Sequence, residues 1–156
     1  MADASTKVFH GASILHVGSG ATMAATSICA ASISTALGSA NLSQYPRCDL
    51  VLTYAPASST SSTAMTIPVY RRDIDVGGIS TADAAAPVVL NSNLYVGTFQ
   101  VPNSVSTGTM TMLLIDVPLP GGNAGCEFYL QNSLTNTIPA GWTLAVIPKT
   151  DIGATA

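Results

Sequence analysis

The chain has 156 residues, enough for one domain with its own core, and 47% of them are hydrophobic. Only 8% are charged and the formal net charge is −3, whereas about a quarter of the residues in an ordinary soluble domain carry charge. This balance excludes a protein that wraps nucleic acid, which needs clustered Lys and Arg. It favours a surface covered by neighbouring subunits, with a Ser/Thr-coated secreted or fibre domain as the alternative.

The N-terminal segment, residues 1–20, shows no sustained hydrophobic period. We interpret it as an extended arm, with a short strand near Val8 or at Ile14–Val17, that precedes a single β-sandwich domain over residues 21–156. The segment lacks the basic and apolar regions of a signal peptide. No later stretch approaches 18 uninterrupted apolar residues, so the sequence predicts no membrane helix.

Strand patterns dominate the first half of the domain. Alanines in Ala21–Leu37 favour helix, but interspersed Thr, Ser and Ile and the lack of a charged face favour a strand, which we predict. Cys48–Ala55 alternates and predicts a second strand, with Leu50, Leu52 and Tyr54 on one face. Ala64–Arg71 contains Pro68, which cannot donate to a ladder and therefore predicts an edge strand or a bulge.

The second half is more regular. Side chains of Asn93–Val101 alternate between two faces of a predicted strand, which places Tyr95 on the same face as Gly97 and Phe99. The apolar run Thr109–Pro118 is typical of a central strand. Gly125–Gln131 and Gly141–Ile147 complete the pattern. About eight strands separated by Pro- and Gly-rich turns predict an all-β, antiparallel β-sandwich that is jelly-roll-like.

Few side chains have the spacing of a catalytic or metal site. His10 and His16 lie in the arm without a third ligand nearby, and Asp-Ile-Asp at 73–75 offers too few oxygens for calcium. Asp116 and Glu127 could form a glycosidase pair, because such carboxylates are distant in sequence. Arg71, Arg72, Asp73 and Asp75 more simply predict a local salt bridge or a polar interface. We predict no enzyme activity and no cofactor.

Three cysteines, Cys29, Cys48 and Cys126, are widely spaced and odd in number. This pattern is neither a disulfide framework nor a CxxC metal site. Each cysteine lies in or beside a predicted strand, where a free thiol acts as a small hydrophobic residue. The pattern indicates synthesis in a reducing cytoplasm.

The aromatic residues have two interpretations. Tyr54, Tyr95 and Tyr129 lie inside predicted strands and Trp142 begins one, so core packing is predicted for most of them. The alternative is a sugar-binding surface, which requires the aromatic rings to be exposed together. No aromatic cluster in the sequence itself indicates such a platform.

Three segments resemble small jelly-roll structural proteins of tailed bacteriophages, which decorate or cement capsids or form head-fibre bases. The resemblance is one of general residue pattern and not of a diagnostic motif. It lies in NLYVGTFQV (Asn93–Val101), TMTMLLIDVPLP (Thr109–Pro120) and GCEFYLQNSLTNTIPAGWTLAVIPKT (Gly125–Thr150). It implies a homo-oligomer, with a trimer favoured, that binds the major capsid protein on the virion surface after synthesis in the host cytoplasm. A receptor- or glycan-binding module of a fibre or tail is the alternative function.

In that family an arm or a long loop reaches across capsomer boundaries. The resemblance assigns this task to Met1–Gly20 and Asp73–Pro87, although no individual family residue can be carried over. The candidate partner-interface residues are accordingly those of the arm and of the charged strand end: Lys7, Phe9, His10, Arg71, Arg72, Asp73 and Asp75.

Overall fold

The fold is an all-β sandwich, as the sequence predicts. The computed structural model describes residues 7–29, 44–56, 66–74, 95–102, 108–120 and 125–152. These residues form eight strands: β1 (Lys7–His10), β2 (Ile14–Val17), β3 (Arg47–Tyr54), β4 (Thr66–Ile74), β5 (Tyr95–Gln100), β6 (Met110–Pro118), β7 (Gly125–Leu130) and β8 (Thr143–Ile152). Within these ranges no helix is long and apolar enough to cross a membrane.

The strands form two antiparallel sheets. The large sheet has the order β1-β8-β3-β6, with β2 also pairing with β8, and the small sheet has the order β5-β4-β7. From β3 onward the chain passes from the large sheet to β4 and β5 in the small one, back to β6, across to β7 and back to β8. This repeated crossing between two facing sheets is jelly-roll-like.

The core lies between the sheets. Leu50 and Leu52 of β3, Leu144 of β8, and Phe128 and Leu130 of β7 are at most 1% exposed. Burial alternates along β3 and β8 because one face of each strand packs on the opposite sheet. Tyr54, Tyr129 and Trp142 are also buried, as predicted, but Tyr129 lies on the face of β7 opposite to that of Phe128 and Leu130.

The described part of the N-terminal segment belongs to the large sheet. Residues 7–10 pair with 149–152 of β8, and β2 pairs with the same strand farther along, from Val146 to Leu144. Between them the Gly11 N–H donates to the Pro148 carbonyl (2.7 Å). Residues 7–17 therefore form one interrupted edge strand, and residues 1–6 of the predicted arm lie outside the described residues.

The segment after the arm, predicted as a strand over Ala21–Leu37, makes two isolated bridges where it is described. Met23 pairs with Ile138, and Ile28 pairs with Gln131. The buried Asn132 amide holds the intervening turn by donating to the carbonyls of Met23 (3.1 Å) and Ala24 (3.0 Å). Residues 30–37 of the predicted strand lie outside the described residues.

A bulge in β5 changes which of its side chains share a face, contrary to the sequence prediction. Val69 pairs with Gly97 and Tyr70 pairs with Tyr95, so Val96 is an extra residue between them. One extra residue reverses the alternation, and Tyr95 is 50% exposed whereas Phe99 is fully buried. The prediction that these two share a face is wrong because the sequence pattern does not show the bulge.

Two predictions concern the position of a strand in its sheet, and one of them is wrong. The apolar run of β6 predicted a central strand, but among the described strands β6 lies at the edge of the large sheet. Pro68 predicted an edge or a bulge. It lies in β4, the middle strand of the small sheet, one residue from the bulge that shifts the β5 register between Val69 and Tyr70. Its carbonyl accepts from the Gln131 N–H (3.0 Å). Its nitrogen therefore also faces Gln131, just after the end of β7, and a proline cannot return the second hydrogen bond of this pair.

Candidate functional site

The outer face of the large sheet carries an apolar row. The register places Leu15 of β2 opposite Ala145 of β8, Ala145 opposite Val51 of β3, and Val51 opposite Leu113 of β6. Leu15 is 55% exposed and Leu113 is 59% exposed. Three strand spacings of about 4.8 Å make this row about 14 Å long. We call these four residues the apolar row.

Neighbouring positions extend this face on both sides of the apolar row. On one side Thr53 pairs with Thr143 of β8 and Thr111 of β6, and the Thr53 and Thr111 hydroxyls are 3.3 Å apart. On the other side a bulge in β6 places both Ile115 and Asp116 opposite Asp49. Ile115 is 58% exposed. The face is thus apolar and hydroxylic over most of its described width.

The charges of this face are gathered at one end. Lys149 of β8 contacts Asp49 (2.6 Å) and Asp116 (2.8 Å), and Arg47 contacts Asp116 (2.7 Å) and also Asp151. The Asp116 N–H donates to the Asp49 carboxylate (2.9 Å). We call these five residues the charge cluster. Its two cations and three anions leave a formal charge of −1.

The cluster shifts the pKa of two of its members. The hydrogen bond from Lys149 is the main reason why the pKa of Asp116 lies below its ordinary value, and Arg47 lowers it further. Desolvation by itself would lower the pKa of Lys149. Hydrogen bonds and charge from Asp116 and Asp49 outweigh that effect and raise the pKa. Both groups are therefore ionised at neutral pH, and the cluster persists as a set of ion pairs.

The predicted interface residues fall on two different sheets. Phe9 and His10 of β1 are exposed at the edge of the large sheet, and the described part of Lys7 is its backbone, which pairs with Ile152. Arg71 and Asp73 of β4 form the predicted local salt bridge (2.7 Å), and Arg72 pairs with Glu127 on the small sheet. Asp75 lies outside the described residues.

Three candidates for catalytic or metal chemistry, His16, Asp116 and Glu127, have structural roles in this fold. His16 is buried, and its Nε2 accepts the Phe128 N–H (3.1 Å). Asp116 and Glu127 lie on different sheets, each in its own ion pairs, and do not flank one site. Over the described ranges no three His, Cys, Asp or Glu side chains are grouped as metal ligands.

The cysteines are confirmed as free, buried thiols. Burial raises the pKa of Cys126 to about 12, and it also raises the pKa of Cys29 and Cys48. They are therefore protonated at neutral pH and behave as small hydrophobic residues.

Sequence reasoning missed the apolar row, because its members come from four strands and become neighbours only through the register. The available signal was the apolar run MTMLLI at 110–115, interrupted only by Thr111, which we interpreted as part of a central strand. Comparison with known proteins adds no further assignment: no protein-family model matches the chain, and no curated protein matches it.

Proposed function

We propose that this chain is a non-catalytic structural protein of a tailed-phage particle, a capsid decoration protein that bridges neighbouring capsomers. The observation that carries the proposal is the apolar row on the outer face of the large sheet. In a protein that has only 8% charged residues, this face is suited to burial against other protein surfaces. We infer that the particle is that of a tailed phage because the second half of the chain resembles phage structural proteins.

The physical argument concerns the exposed hydrophobic residues. Leu15, Leu113 and Ile115 are each more than half exposed, and contiguous exposed apolar side chains on a soluble protein mark interaction sites. Threonines next to the row add hydroxyls that can hydrogen-bond across an interface. Unlike charged side chains, they can be buried there without the large desolvation cost of an ion.

The proposed partners are further copies of this chain and the major capsid protein. An edge position brings Leu113 and Ile115 of β6 to the boundary of the sheet, where a neighbouring subunit can approach from the side as well as from above. A trimer is the favoured oligomer, as in the proteins that the chain resembles. The charge cluster lies beside the apolar row and supplies a polar rim, which is the usual arrangement of a specific interface.

The test uses the full chain and the variant Leu113→Asp. We expect the wild-type protein to form a trimer or a larger ring by light scattering after size exclusion, and to bind capsids that lack it. A carboxylate in the middle of a buried apolar interface is unpaired and desolvated, so we expect this variant to lose self-association, capsid binding or both.

The matched control is Gln100→Asp, which adds the same charge to an exposed position in β5 of the small sheet. It should assemble and bind as the wild type does. A wild-type protein that remains monomeric and ignores such capsids would contradict the proposal. Equal binding by Leu113→Asp and by the wild type would show that this face is not the interface.

A further inference from the structure

The outer face of the small sheet carries a row of three tyrosines. Tyr70 of β4 pairs with Tyr129 of β7 on one side and with Tyr95 of β5 on the other. Exposure rises along the row from Tyr129 (3%) through the half-buried Tyr70 to Tyr95 (50%). We call these residues the tyrosine row. It lies on the sheet opposite the apolar row and has a different chemistry.

The bulge in β5 creates this row. Without the extra residue Val96, Tyr95 would share the inner face with Phe99, which is fully buried. Gly97, beside the bulge, has a positive φ of 157°, and a Cβ there would lie 2.8 Å from the Leu114 side chain. Bulges commonly re-aim a side chain next to a functional site, and this one places a large aromatic ring in solvent.

The rings are fixed by their own hydroxyls. The Tyr70 hydroxyl donates to the Gln131 Oε1 (3.1 Å), and the Tyr95 hydroxyl lies 2.5 Å from the Thr98 Oγ1. Tyr70 and Tyr95 also contact each other edge to face, with centroids 5.8 Å apart. Tyrosines held in this way offer a rigid contact surface that loses little conformational entropy on binding.

The tyrosine row has no net charge. Arg72 forms an ion pair with Glu127, and its guanidinium lies 5.5 Å from the centre of the Tyr129 ring. Glu127 in turn accepts the Tyr129 hydroxyl (2.7 Å). Because the cation and the anion neutralise each other, the surface does not select an anionic ligand such as a phosphate or a nucleic acid.

We propose that the tyrosine row is a binding site for a neutral oligosaccharide. A sugar ring has an apolar C–H face and an edge of hydroxyl groups. The exposed Tyr95 ring and the adjoining Tyr70 ring suit the C–H face. The Gln131 amide group, the Thr98 hydroxyl and the tyrosine hydroxyls lie around these rings and can exchange hydrogen bonds with the sugar hydroxyls.

A protein partner is the competing occupant, since tyrosine and arginine are also enriched in protein interfaces. The sugar is favoured because the exposed Tyr95 ring is bordered by polar groups, the Thr98 hydroxyl and the Gln131 side chain that holds Tyr70, and this combination suits the alternating C–H and O–H groups of a sugar. The apolar row, by contrast, presents four aliphatic side chains without a polar atom. The site needs no capsid and is independent of the decoration role.

The test is isothermal titration calorimetry of the full-length protein against a panel of hexasaccharides. The panel contains β-1,4-linked glucose, β-1,4-linked N-acetylglucosamine and α-linked mannose, with oligosialic acid as the anionic comparison. We expect at least one neutral member to bind with a Kd between about 1 μM and 1 mM. Tyr95→Ala should weaken that binding by about tenfold or more, and Tyr95→Phe, which keeps the ring, should retain most of it.

The control is Leu113→Ala on the opposite sheet, which should leave the sugar affinity unchanged, so that failure of the capsid role does not affect this result. Circular dichroism and thermal unfolding verify that each variant is folded. Three results would overturn the proposal: no neutral sugar binds below about 10 mM, Tyr95→Ala binds as the wild type does, or Tyr95→Ala loses self-association or capsid binding while the wild type binds no sugar.

Discussion

At the residue level, the loop that follows β2 depends on the close approach of Gly20 to Trp142. The Gly20 N–H donates to the Trp142 carbonyl (2.7 Å), and the indole Nε1 donates to the Ala21 carbonyl (2.7 Å). A Cβ added at Gly20 would lie 1.9 Å from the Cε2 atom of the indole. The backbone therefore lies directly against the ring, and no larger residue fits without moving it.

We predict that Gly20→Ala lowers the free energy of unfolding by about 1–3 kcal/mol, the usual cost of overpacking a core. The indole is rigid and buried, so the strain cannot be relieved by rotating a flexible chain end. Gly18→Ala is the matched control, because a Cβ there would meet only Leu15, at 3.4 Å. Urea denaturation of both variants tests this, and equal stabilities would contradict it.

This contact could not be predicted from the sequence. Gly18-Ser19-Gly20 begins like a dinucleotide-binding fingerprint, and local inspection goes no further than rejecting that match. The need for glycine comes from a tryptophan 122 positions away, since the sheet brings residues 20 and 142 together. A glycine required by a tertiary neighbour has the same local appearance as a glycine in an ordinary turn.

At the level of the strands, extra residues in three of them determine which side chains reach the surface. His16 in β2, Val96 in β5 and the pair Ile115–Asp116 in β6 each interrupt the register. The alternation of side chains along the sequence predicts most of the strands and identifies the inner face of β3. It cannot show the bulges, because an extra residue exists only relative to a partner strand, and so both candidate surfaces were missed.

The β6 bulge leads to a prediction about Asp116, which has a positive φ of 58°. Asp and Asn tolerate this conformation better than other non-glycine residues. Asp116→Asn should therefore keep the bulge but lose the ion pairs with Arg47 and Lys149, and its melting temperature at pH 7 should be lower than that of the wild type. Asp116→Ala should be less stable than Asp116→Asn at every pH, because it adds backbone strain.

The difference in melting temperature between the wild type and Asp116→Asn should depend on pH. Lys149 lowers the pKa of Asp116 below its ordinary value, so the unfolded state takes up a proton at higher pH than the folded state does. The stabilisation is complete above the unfolded pKa of about 3.9 and is lost as the pH falls below it. Thermal melts from pH 7 to pH 2 should converge at the acid end. A constant difference across this range would contradict the prediction.

For the whole molecule, composition and turn spacing predict the all-β sandwich, because strand-forming segments and turn residues are local signals. The order of strands in a sheet is not local. From the sequence alone, the apolar run of β6 indicates a central strand. The strand pairing shows instead that Leu113 and Ile115 face outward, at an edge of the described sheet. The scarcity of charge predicts an interaction surface, which stays a prediction, and the location of the proposed one depends on the register of four strands.

The three cysteines provide a measure of how this sandwich opens. Cys48 and Cys126 lie on the inner faces of β3 and β7 and are fully buried. Cys29 lies outside the strands, beside β7, where its N–H donates to the Leu130 carbonyl (2.8 Å) and its Sγ accepts the Leu130 N–H (3.0 Å). Cys29 can be exposed when its short segment detaches from β7, whereas the other two require the sheets to separate.

We therefore predict that native protein reacts with iodoacetamide first at Cys29, and at Cys48 and Cys126 only at the rate of global unfolding. The reaction requires the thiolate, and burial raises the pKa of Cys126 to about 12 and also raises the pKa of Cys29 and Cys48. A thiol should therefore react only after its part of the structure opens, even at pH 9. Pulsed labelling followed by peptide mass spectrometry gives the rate at each site. Urea should accelerate the labelling of Cys48 and Cys126 steeply and that of Cys29 weakly. The free energy of opening falls with urea concentration at a slope that scales with the surface exposed by the opening. Equal rates and equal urea dependence at all three sites would mean that the segment around Cys29 opens only with the whole sandwich.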